Sequence, residues 1–297
     1  MRSTLAGPFT LRHARRATGC ALFFFLAIVV TGATVRLTGS GLGCPDWPSC
    51  HGTRPIPAAE HHALMEFFNR TVSLPTTLAA LAAVWVCRRL AAPRRDLRIA
   101  SMVAFLGIPV QIVLGGLTVL LELPPLVVSA HFLVSIAILS AAAVAWVASG
   151  VESPPPPDSQ RAAAAWLAGS MLVVLLAVIV AGVATTASGP HSGLQAGEIA
   201  NRLGNSSLAV TLHARGAYVF ATMLLVLVAW RVRAREGARD LMVMCTLVII
   251  QITLGEIQYR NGLPWGIVLA HVTNAALLWT VACSIAWRAV FLTPRRG

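Results

Sequence analysis

The stretch QIVLGGLTVLLELPPLVVSAH, residues 111–131, has a second copy in QITLGEIQYRNGLPWGIVLAH, residues 251–271. Both copies start with a glutamine four residues before a glycine, carry Leu-Pro at the same position and end in Ala-His. The final histidines, His131 and His271, lie deep in apolar sequence. Because an ionisable group inside a bilayer is costly, it indicates a function. The chain therefore contains a duplicated membrane unit that carries a histidine.

The composition excludes an ordinary soluble domain. Of the 297 residues, 57% are hydrophobic and only 11% are charged, which leaves too little polar surface for a soluble protein of this size. A helix needs roughly 20 apolar residues to cross about 30 Å of hydrocarbon. We expect an all-α integral membrane protein with eight transmembrane helices near residues 17–37, 62–87, 99–121, 126–149, 162–186, 206–230, 241–258 and 265–290.

Arginine alone provides the positive charge, because the formal net charge is +12 and the chain has no lysine. In an eight-span topology, 17 arginines lie on the side of the two termini and six lie elsewhere. Cytoplasmic segments of membrane proteins are enriched in arginine. Both termini are therefore predicted to be cytoplasmic, and the charge requires no nucleic-acid partner.

A polar, proline-rich segment separates the two copies. This segment, VESPPPPDSQ at residues 151–160, cannot continue a helix and is predicted to be a cytoplasmic linker between residues 1–150 and residues 161–297. Since each half has an even number of spans, both have the same orientation in the membrane. We expect two pseudo-symmetric four-helix bundles in parallel orientation, each with its polar residues facing inward. The parallel repeat disfavours a transporter.

Two cysteines lie six residues apart in the first outward loop, GLGCPDWPSC at residues 41–50. In an oxidising compartment, Cys44 and Cys50 are predicted to form a disulfide. So short a loop gains only about 2 kcal/mol from loop closure, so the bond would mainly shape the loop or take part in redox chemistry. The alternative is a zinc site that includes the adjacent His51, although a fourth ligand is not evident.

Two histidines lie on separate spans of the second half, His213 on its second span and His271 on its fourth. Such a pair can ligate a haem from opposite faces. Zinc or copper would require further ligands. The alternative is that each histidine is hydrogen-bonded to Ser, Thr or backbone groups and binds no metal.

The first half differs from the second at one of these positions. Alignment of the halves places Asn69 where His213 stands, so the first half retains His131 alone. A haem bound there would have an open or weakly filled axial position. This asymmetry predicts chemistry in the first half and electron storage in the second.

A carboxylate lies close to Asn69. Glu66 is three residues before Asn69 and four before Arg70, and hence on the same helical face. Glu66 either forms an ion pair with Arg70 or relays protons near the substrate, since burial can raise the pKa of a carboxyl group. His62, one turn before Glu66, is a further candidate for a proton path or a ligand.

Six arginines lie on the outward side, against the general charge distribution. They are candidates to bind haem propionates, and contacts with lipid headgroups are the alternative. These residues are Arg36, Arg54, Arg70, Arg202, Arg215 and Arg260.

Together these residues resemble the haem A synthase family, membrane enzymes of cytochrome oxidase assembly, over nearly the whole chain. The most specific element comprises the end of the first span and the loop that follows it, GATVRLTGSGLGCPDWPSC at residues 32–50. The two Gln-x-x-Leu-Gly elements and the three histidines match as well.

The resemblance implies an oxidoreductase that converts the C8 methyl of haem O to a formyl group by successive hydroxylations, giving haem A. It implies a haem b cofactor ligated by His213 and His271 in the C-terminal half. Haem O would occupy the N-terminal half. The implied residues there are His131 as axial ligand, Glu66 as essential acid, Asn69 and Arg70 beside the substrate, and Cys44 with Cys50 in the adjacent loop.

The resemblance also implies a setting. The protein is expected in the cell membrane of a bacterium, supplied with substrate by haem O synthase (protohaem farnesyltransferase) and reduced by an unidentified electron donor. The oligomeric state, including a homo-oligomer, is left open.

One departure from the family pattern concerns the substrate half. The pattern Glu-x-x-His-Arg is Glu66-Phe-Phe-Asn69-Arg70 in this chain. Either His131 alone holds the substrate haem, or another group such as His62 compensates. The lost histidine also motivates the alternative function, a non-catalytic membrane protein for haem-based electron transfer or haem delivery.

Overall fold

The computed structural model describes residues 7–50, 52, 56–57, 59–151, 159–195, 202–204, 207–233 and 239–291. Within these ranges it contains eight helices and no β-strand beyond a single bridge between Phe9 and Leu90. All eight helices are long and apolar enough to cross a membrane. The prediction of an all-α, eight-span membrane protein is confirmed. The helices are α1 (Leu11–Leu37), α2 (His61–Arg88), α3 (Arg95–Leu120), α4 (Pro125–Ala148), α5 (Ser159–Ser188), α6 (Ser207–Arg233), α7 (Arg239–Arg260) and α8 (Trp265–Phe291).

The helices extend beyond the predicted spans where arginines follow or precede the apolar sequence. α1 begins at Leu11 rather than near residue 17, and α6 continues to Arg233 rather than ending near residue 230. Arginine is a good helix former, and its long side chain reaches the polar interface while its backbone stays helical. Hydropathy therefore marks the hydrocarbon segment and not the end of the helix.

The helices of the two halves have equivalent neighbours. In the first half α1 and α3 each pack against both α2 and α4, and in the second half α5 and α7 each pack against both α6 and α8. The halves meet through α1, α4, α5 and α8. The pair of four-helix bundles stays a prediction, with which this pattern of neighbours agrees. Most of the predicted linker, residues 152–158, lies outside the described residues.

The duplicated turn between the third and fourth helix of each half has the same backbone conformation. Leu123 and Leu263 each lie directly before a proline, and their φ angles are 59° and 61°. Leu123 N–H donates to the carbonyl of Thr118 at 2.7 Å, and Leu263 N–H donates to that of Gln258 at 2.8 Å. A left-handed leucine is unfavourable, so its presence at both positions shows that the repeat extends to local geometry.

A buried tryptophan connects the halves within the bundle. The indole N–H of Trp279 on α8 donates to Ser140 Oγ at 2.9 Å and to the carbonyl of Ile136 at 3.2 Å, both on α4. Trp279 is 6% exposed. Since a buried indole N–H needs an acceptor, these bonds fix the position of α8 on α4.

A second connection lies at the end of the molecule that carries Cys44 and Cys50, here called the disulfide end. Arg36 of α1 donates to the carbonyls of Thr186 and His191 in the second half, each at 3.1 Å. Gly41 N–H donates to the carbonyl of Gly193 at 2.8 Å. The first loop of one half is therefore joined to the corresponding loop of the other by a backbone hydrogen bond, and the Arg36 side chain adds two more contacts between the halves.

Candidate functional site

The structure brings the two histidines of the second half together. The ring centroids of His213 on α6 and His271 on α8 are 6.1 Å apart, and the rings are tilted by 60°. Two imidazoles that bind one metal from opposite sides, each at about 2.0 Å, have centroids roughly 6 Å apart. The spacing therefore suits a metal macrocycle held by one histidine on each face.

One nitrogen of each ring has a hydrogen-bond partner. His213 Nδ1 donates to the carbonyl of Val178 on α5 at 2.8 Å. The amide of Gln251 donates to His271 Nε2 at 2.9 Å, and Asn274 donates to the oxygen of that amide at 2.6 Å. The bond from His213 to Val178 is of the kind that a ligating histidine donates through its other ring nitrogen, and it leaves the lone pair on Nε2 of His213. His271 Nε2 accepts the bond from Gln251, so the ring proton is on Nδ1, which is buried and has no partner among the described residues. A metal would bind Nε2 of His271 in place of the Gln251 amide.

Each ring of the second half also faces a glycine. A Cβ added at Gly182 of α5 would lie 2.8 Å from Cε1 of His213, and one added at Gly255 of α7 would lie 3.3 Å from Cε1 of His271. A methyl group at Gly182 would collide with the ring. The glycines thus allow the histidines to pack against the neighbouring helices.

The first half repeats this arrangement with one substitution. A Cβ at Gly32 of α1 would lie 3.7 Å from Oδ1 of Asn69, and one at Gly115 of α3 would lie 3.5 Å from Cε1 of His131. Gly32 and Gly115 thus correspond to the two glycines that face histidines in the second half. Asn69 on α2 therefore occupies the position equivalent to that of His213.

The polar groups around His131 differ from those around His271. The Gln111 amide donates to the backbone carbonyl of His131 at 3.1 Å and to the Ser135 hydroxyl, and not to the ring. His131 Nδ1 is buried and has no partner among the described residues. Asn69 accepts a hydrogen bond from Thr31 of α1 through Oδ1 at 2.6 Å. Sequence reasoning missed Thr31, because nothing in the spacing relates it to α2.

The loop at the disulfide end is attached to α2 through Glu66. Cys44 and Cys50 form the predicted disulfide, so their sulfurs are not available to zinc, and the zinc alternative is wrong. His51 lies outside the described residues. Cys44 N–H donates to Glu66 Oε2 at 2.9 Å, and Glu66 Oε1 pairs with Arg70 at 2.6 Å. The expected alternative of a Glu66–Arg70 ion pair is therefore present, and Glu66 is 4% exposed.

Arg70 binds the backbone of the same loop. Its guanidinium donates to the carbonyls of Asp46 and Ser49 at 3.0 Å and of Cys44 at 3.2 Å. One cation thus satisfies several carbonyls of a segment that has little regular structure. Glu66 and Arg70, one turn apart, hold the loop against the first half.

His62 does not lie beside Asn69. Its Nδ1 is 2.9 Å from Ser40 Oγ, and its ring contacts that of His61 at a centroid distance of 5.3 Å. Seven residues of helix separate His62 from Asn69, a rise of about 10 Å. His62 therefore belongs to the disulfide end of α2 and does not replace the missing histidine in position.

The outward arginines mostly bind protein groups. Arg36 and Arg70 donate to backbone carbonyls as described, and Arg202 donates to that of Pro190 at 2.6 Å. Arg260 pairs with Glu256 on an exposed helical face. Arg54 lies outside the described residues, and Arg215 is exposed.

No group of three or more histidine, cysteine or acidic side chains converges on one point within the described ranges. A bare metal ion would therefore lack ligands there. A metalloporphyrin brings four nitrogen ligands of its own and needs only one or two from the protein. The donor set fits a haem.

Comparison with known proteins agrees with this interpretation. Residues 15–283 match the model of the COX15-CtaA family, described as cytochrome oxidase assembly protein. The chain is similar to the haem A synthase of Shewanella oneidensis, with 30% identity over 138 residues, 40% of each chain. It is similar to that of Bacillus pumilus, with 32% identity over 116 residues, 38% of each chain.

A third relative is the protohaem IX farnesyltransferase of Halobacterium salinarum, 35% identical over 92 residues, which are 31% of this chain and 20% of that protein. The matched segment spans about two fifths of the length of the haem A synthases. The family match, in contrast, extends over most of the sequence. This chain therefore belongs to the COX15-CtaA family of cytochrome oxidase assembly proteins.

Proposed function

We propose that this protein is a haem A synthase, an oxidoreductase that converts the C8 methyl of haem O to a formyl group. The observation that carries the proposal is the asymmetry of two equivalent sites. The second half has two imidazoles 6.1 Å apart, whereas the first has His131 and the carboxamide of Asn69. Family membership and the similarity to two proteins named haem A synthase support the assignment.

In this proposal His213 and His271 hold a resident haem b. When bound, that haem supplies reversible one-electron transfer. The carbonyl of Val178 fixes the tautomer of His213, and the Gln251 amide would give up its bond to Nε2 of His271 when that atom binds iron. Because this half supplies both imidazoles, residues 161–297 are assigned as the electron-storing half.

The substrate haem O would bind in residues 1–150, with His131 as its axial ligand and Asn69 on the opposite side. Glu66 is the residue we assign to proton transfer during the hydroxylations, since it is a buried carboxylate three residues from Asn69. Arg70 orients that carboxylate and holds the loop of Cys44 and Cys50 in place. The loop would limit the access of water to the substrate.

The proposed setting follows from charge and chemistry. The resemblance to bacterial haem A synthases places the protein in a bacterial plasma membrane in this proposal. The 17 arginines on one side favour an orientation with both termini and the 151–160 linker in the cytoplasm. Haem O carries a farnesyl-derived group, so a protohaem farnesyltransferase is the proposed source of substrate. Each of the two hydroxylations would consume one dioxygen molecule, of which one atom enters a C–H bond of the methyl group and the other leaves as water with two protons and two electrons from an external donor. The resulting gem-diol would lose water to give the formyl group.

Co-expression with a haem O synthase, followed by mass analysis of extracted pigments, tests the function. We expect haem b together with haem A or a hydroxylated intermediate. Membranes that contain inserted protein, haem O and no oxidised product would refute the proposal. Haem b alone in such a preparation would indicate the alternative, a protein for electron transfer or haem delivery.

A further inference from the structure

We propose that Asn69 makes the first half a binding site for a small exogenous ligand on iron, of the class of anions and polar diatomics that accept a hydrogen bond. The inference rests on the proposed function in one respect, the presence of a haem iron on His131. It goes further by assigning the opposite axial position and the group that recognises a ligand there.

The internal repeat identifies that axial position. Asn69 faces Gly32 as His213 faces Gly182, and His131 faces Gly115 as His271 faces Gly255. In the second half both equivalent positions carry imidazoles, the commonest protein ligands of haem iron. A neutral carboxamide is a hard, weak donor and binds such an iron poorly. The first half therefore provides one strong ligand and leaves the other face open.

Thr31 orients the carboxamide. Its hydroxyl donates to Asn69 Oδ1 at 2.6 Å, so the oxygen faces α1 and the NH₂ group provides the two remaining donors. Nowhere in the part of the chain that the structure describes does Asn69 Nδ2 have a hydrogen-bond partner. A Cβ at Gly32 would be 4.0 Å from Nδ2, in ordinary van der Waals contact, so α1 leaves room for a methyl group beside the carboxamide and does not bind its NH₂ group.

The other polar groups nearby are already engaged. Glu66 and Arg70 bind each other and the disulfide loop. His62 is bound to Ser40 and lies two helical turns away. Asn69 is thus the donor that the geometry assigns to the open face.

Carbon monoxide and azide test two different parts of this inference, the open position on iron and the hydrogen-bond donor beside it. Carbon monoxide on ferrous haem requires only an open position, because it accepts hydrogen bonds weakly. Azide on ferric haem carries a charge and is stabilised by a donor. A hydrogen bond to a charged group contributes about tenfold or more in affinity. Loss of the Asn69 donors should therefore weaken azide and spare carbon monoxide.

The experiment uses the purified full-length protein with the haems it acquires during expression. We expect the wild type to bind carbon monoxide at one site, and His131→Ala to lose that site. Asn69→His should abolish the binding and give a second low-spin, bis-imidazole spectrum. Asn69→Leu should retain carbon monoxide affinity within threefold and bind azide at least about tenfold more weakly.

Thr31→Val should weaken azide binding in the same direction but by less. Thr34→Val is the matched control, because the Thr34 hydroxyl donates to the carbonyl of Val30 in its own helix at 2.9 Å. We expect that control to match the wild type. Should Asn69→His not accumulate, the comparison of Asn69→Leu with Thr34→Val still decides the question.

Three results would overturn the inference: no carbon monoxide binding by the wild type, wild-type binding in Asn69→His, or unchanged azide affinity in Asn69→Leu. None of these titrations requires haem A. A protein that passes them without oxidising haem O would refute the proposed function alone. One that produces haem A while azide binding is independent of Asn69 would refute this inference alone.

Discussion

The backbone N–H of Cys44 donates to Oε2 of Glu66 at 2.9 Å, so the disulfide loop is bound directly to the carboxylate that we assign to proton transfer. The other oxygen of Glu66 is bound by Arg70, which also binds the loop. In the proposed function one carboxylate therefore has two separable roles, as hydrogen-bond acceptor for the loop and as proton carrier. Substitutions that retain one role and remove the other distinguish them.

Glu66→Gln retains an acceptor for Cys44 N–H but cannot carry a proton at ordinary pH. We expect it to abolish haem A formation while amide hydrogen exchange of the loop stays within about threefold of wild type. Glu66→Ala should abolish haem A formation and accelerate loop exchange, since a lost bond to a charged acceptor is worth about 1.5–3 kcal/mol. Normal haem A output from Glu66→Gln would show that Glu66 acts only as an acceptor.

Arg70→Ala removes the guanidinium from the carbonyls of Cys44, Asp46 and Ser49. We expect residues 44–50 to exchange their amides about ten- to a hundredfold faster, and the disulfide to be reduced more readily by a water-soluble phosphine. Arg260→Ala is the control, because Arg260 forms a similar i,i+4 ion pair on an exposed surface. Equal loop exchange in both variants would contradict the assignment.

His213→Ala or His271→Ala removes one of the paired imidazoles of the second half. We expect either change to eliminate the low-spin spectrum of haem b, while the protein remains in the membrane. His13→Ala is a suitable control, since His13 lies near the start of α1 and, within the described ranges, its side chain hydrogen-bonds to Thr10 alone. Reduced-minus-oxidised difference spectra and electron paramagnetic resonance measure the effect. A low-spin spectrum that survives both substitutions would exclude these ligands.

Trp279→Phe removes the indole donor that joins α8 to Ser140 and Ile136 on α4. The lost bonds correspond to about 1–2 kcal/mol, and Tm should fall by roughly 2–4 °C per kcal/mol. Trp166→Phe is the control, because Trp166 is 77% exposed and should leave Tm unchanged. Thermal unfolding of the detergent-solubilised protein provides the measurement. Equal Tm values for the two variants would show that the bridge does not stabilise the contact between halves.

Much of the fold was predictable from the sequence because the membrane restricts the choices. Eight apolar stretches gave eight helices, since only helices satisfy every backbone group within a single lipid-exposed segment. Alignment of the two halves also predicted the equivalence of Asn69 and His213, which the facing glycines Gly32 and Gly182 support. Repeats are informative because equivalent sequence positions occupy equivalent places.

The partners of the site residues were harder to predict. Spacing suggested the Glu66–Arg70 pair, because residues four apart share a helical face. No comparable rule relates Arg70 to the loop carbonyls or Thr31 to Asn69, since these contacts join segments whose relative position depends on packing. Asn274 had a usable signal, for it follows His271 by three residues and so shares its face. A search for polar residues at this spacing would have found it.

Arg36 also determines how the contact between the two halves responds to pH. Its guanidinium joins the halves through the carbonyls of Thr186 and His191, and amide oxygens do not titrate in the physiological range. A carboxylate in their place would be neutralised as the surroundings became acidic. Alignment of the two halves at the disulfide end should therefore withstand acidification of the medium on that side of the membrane.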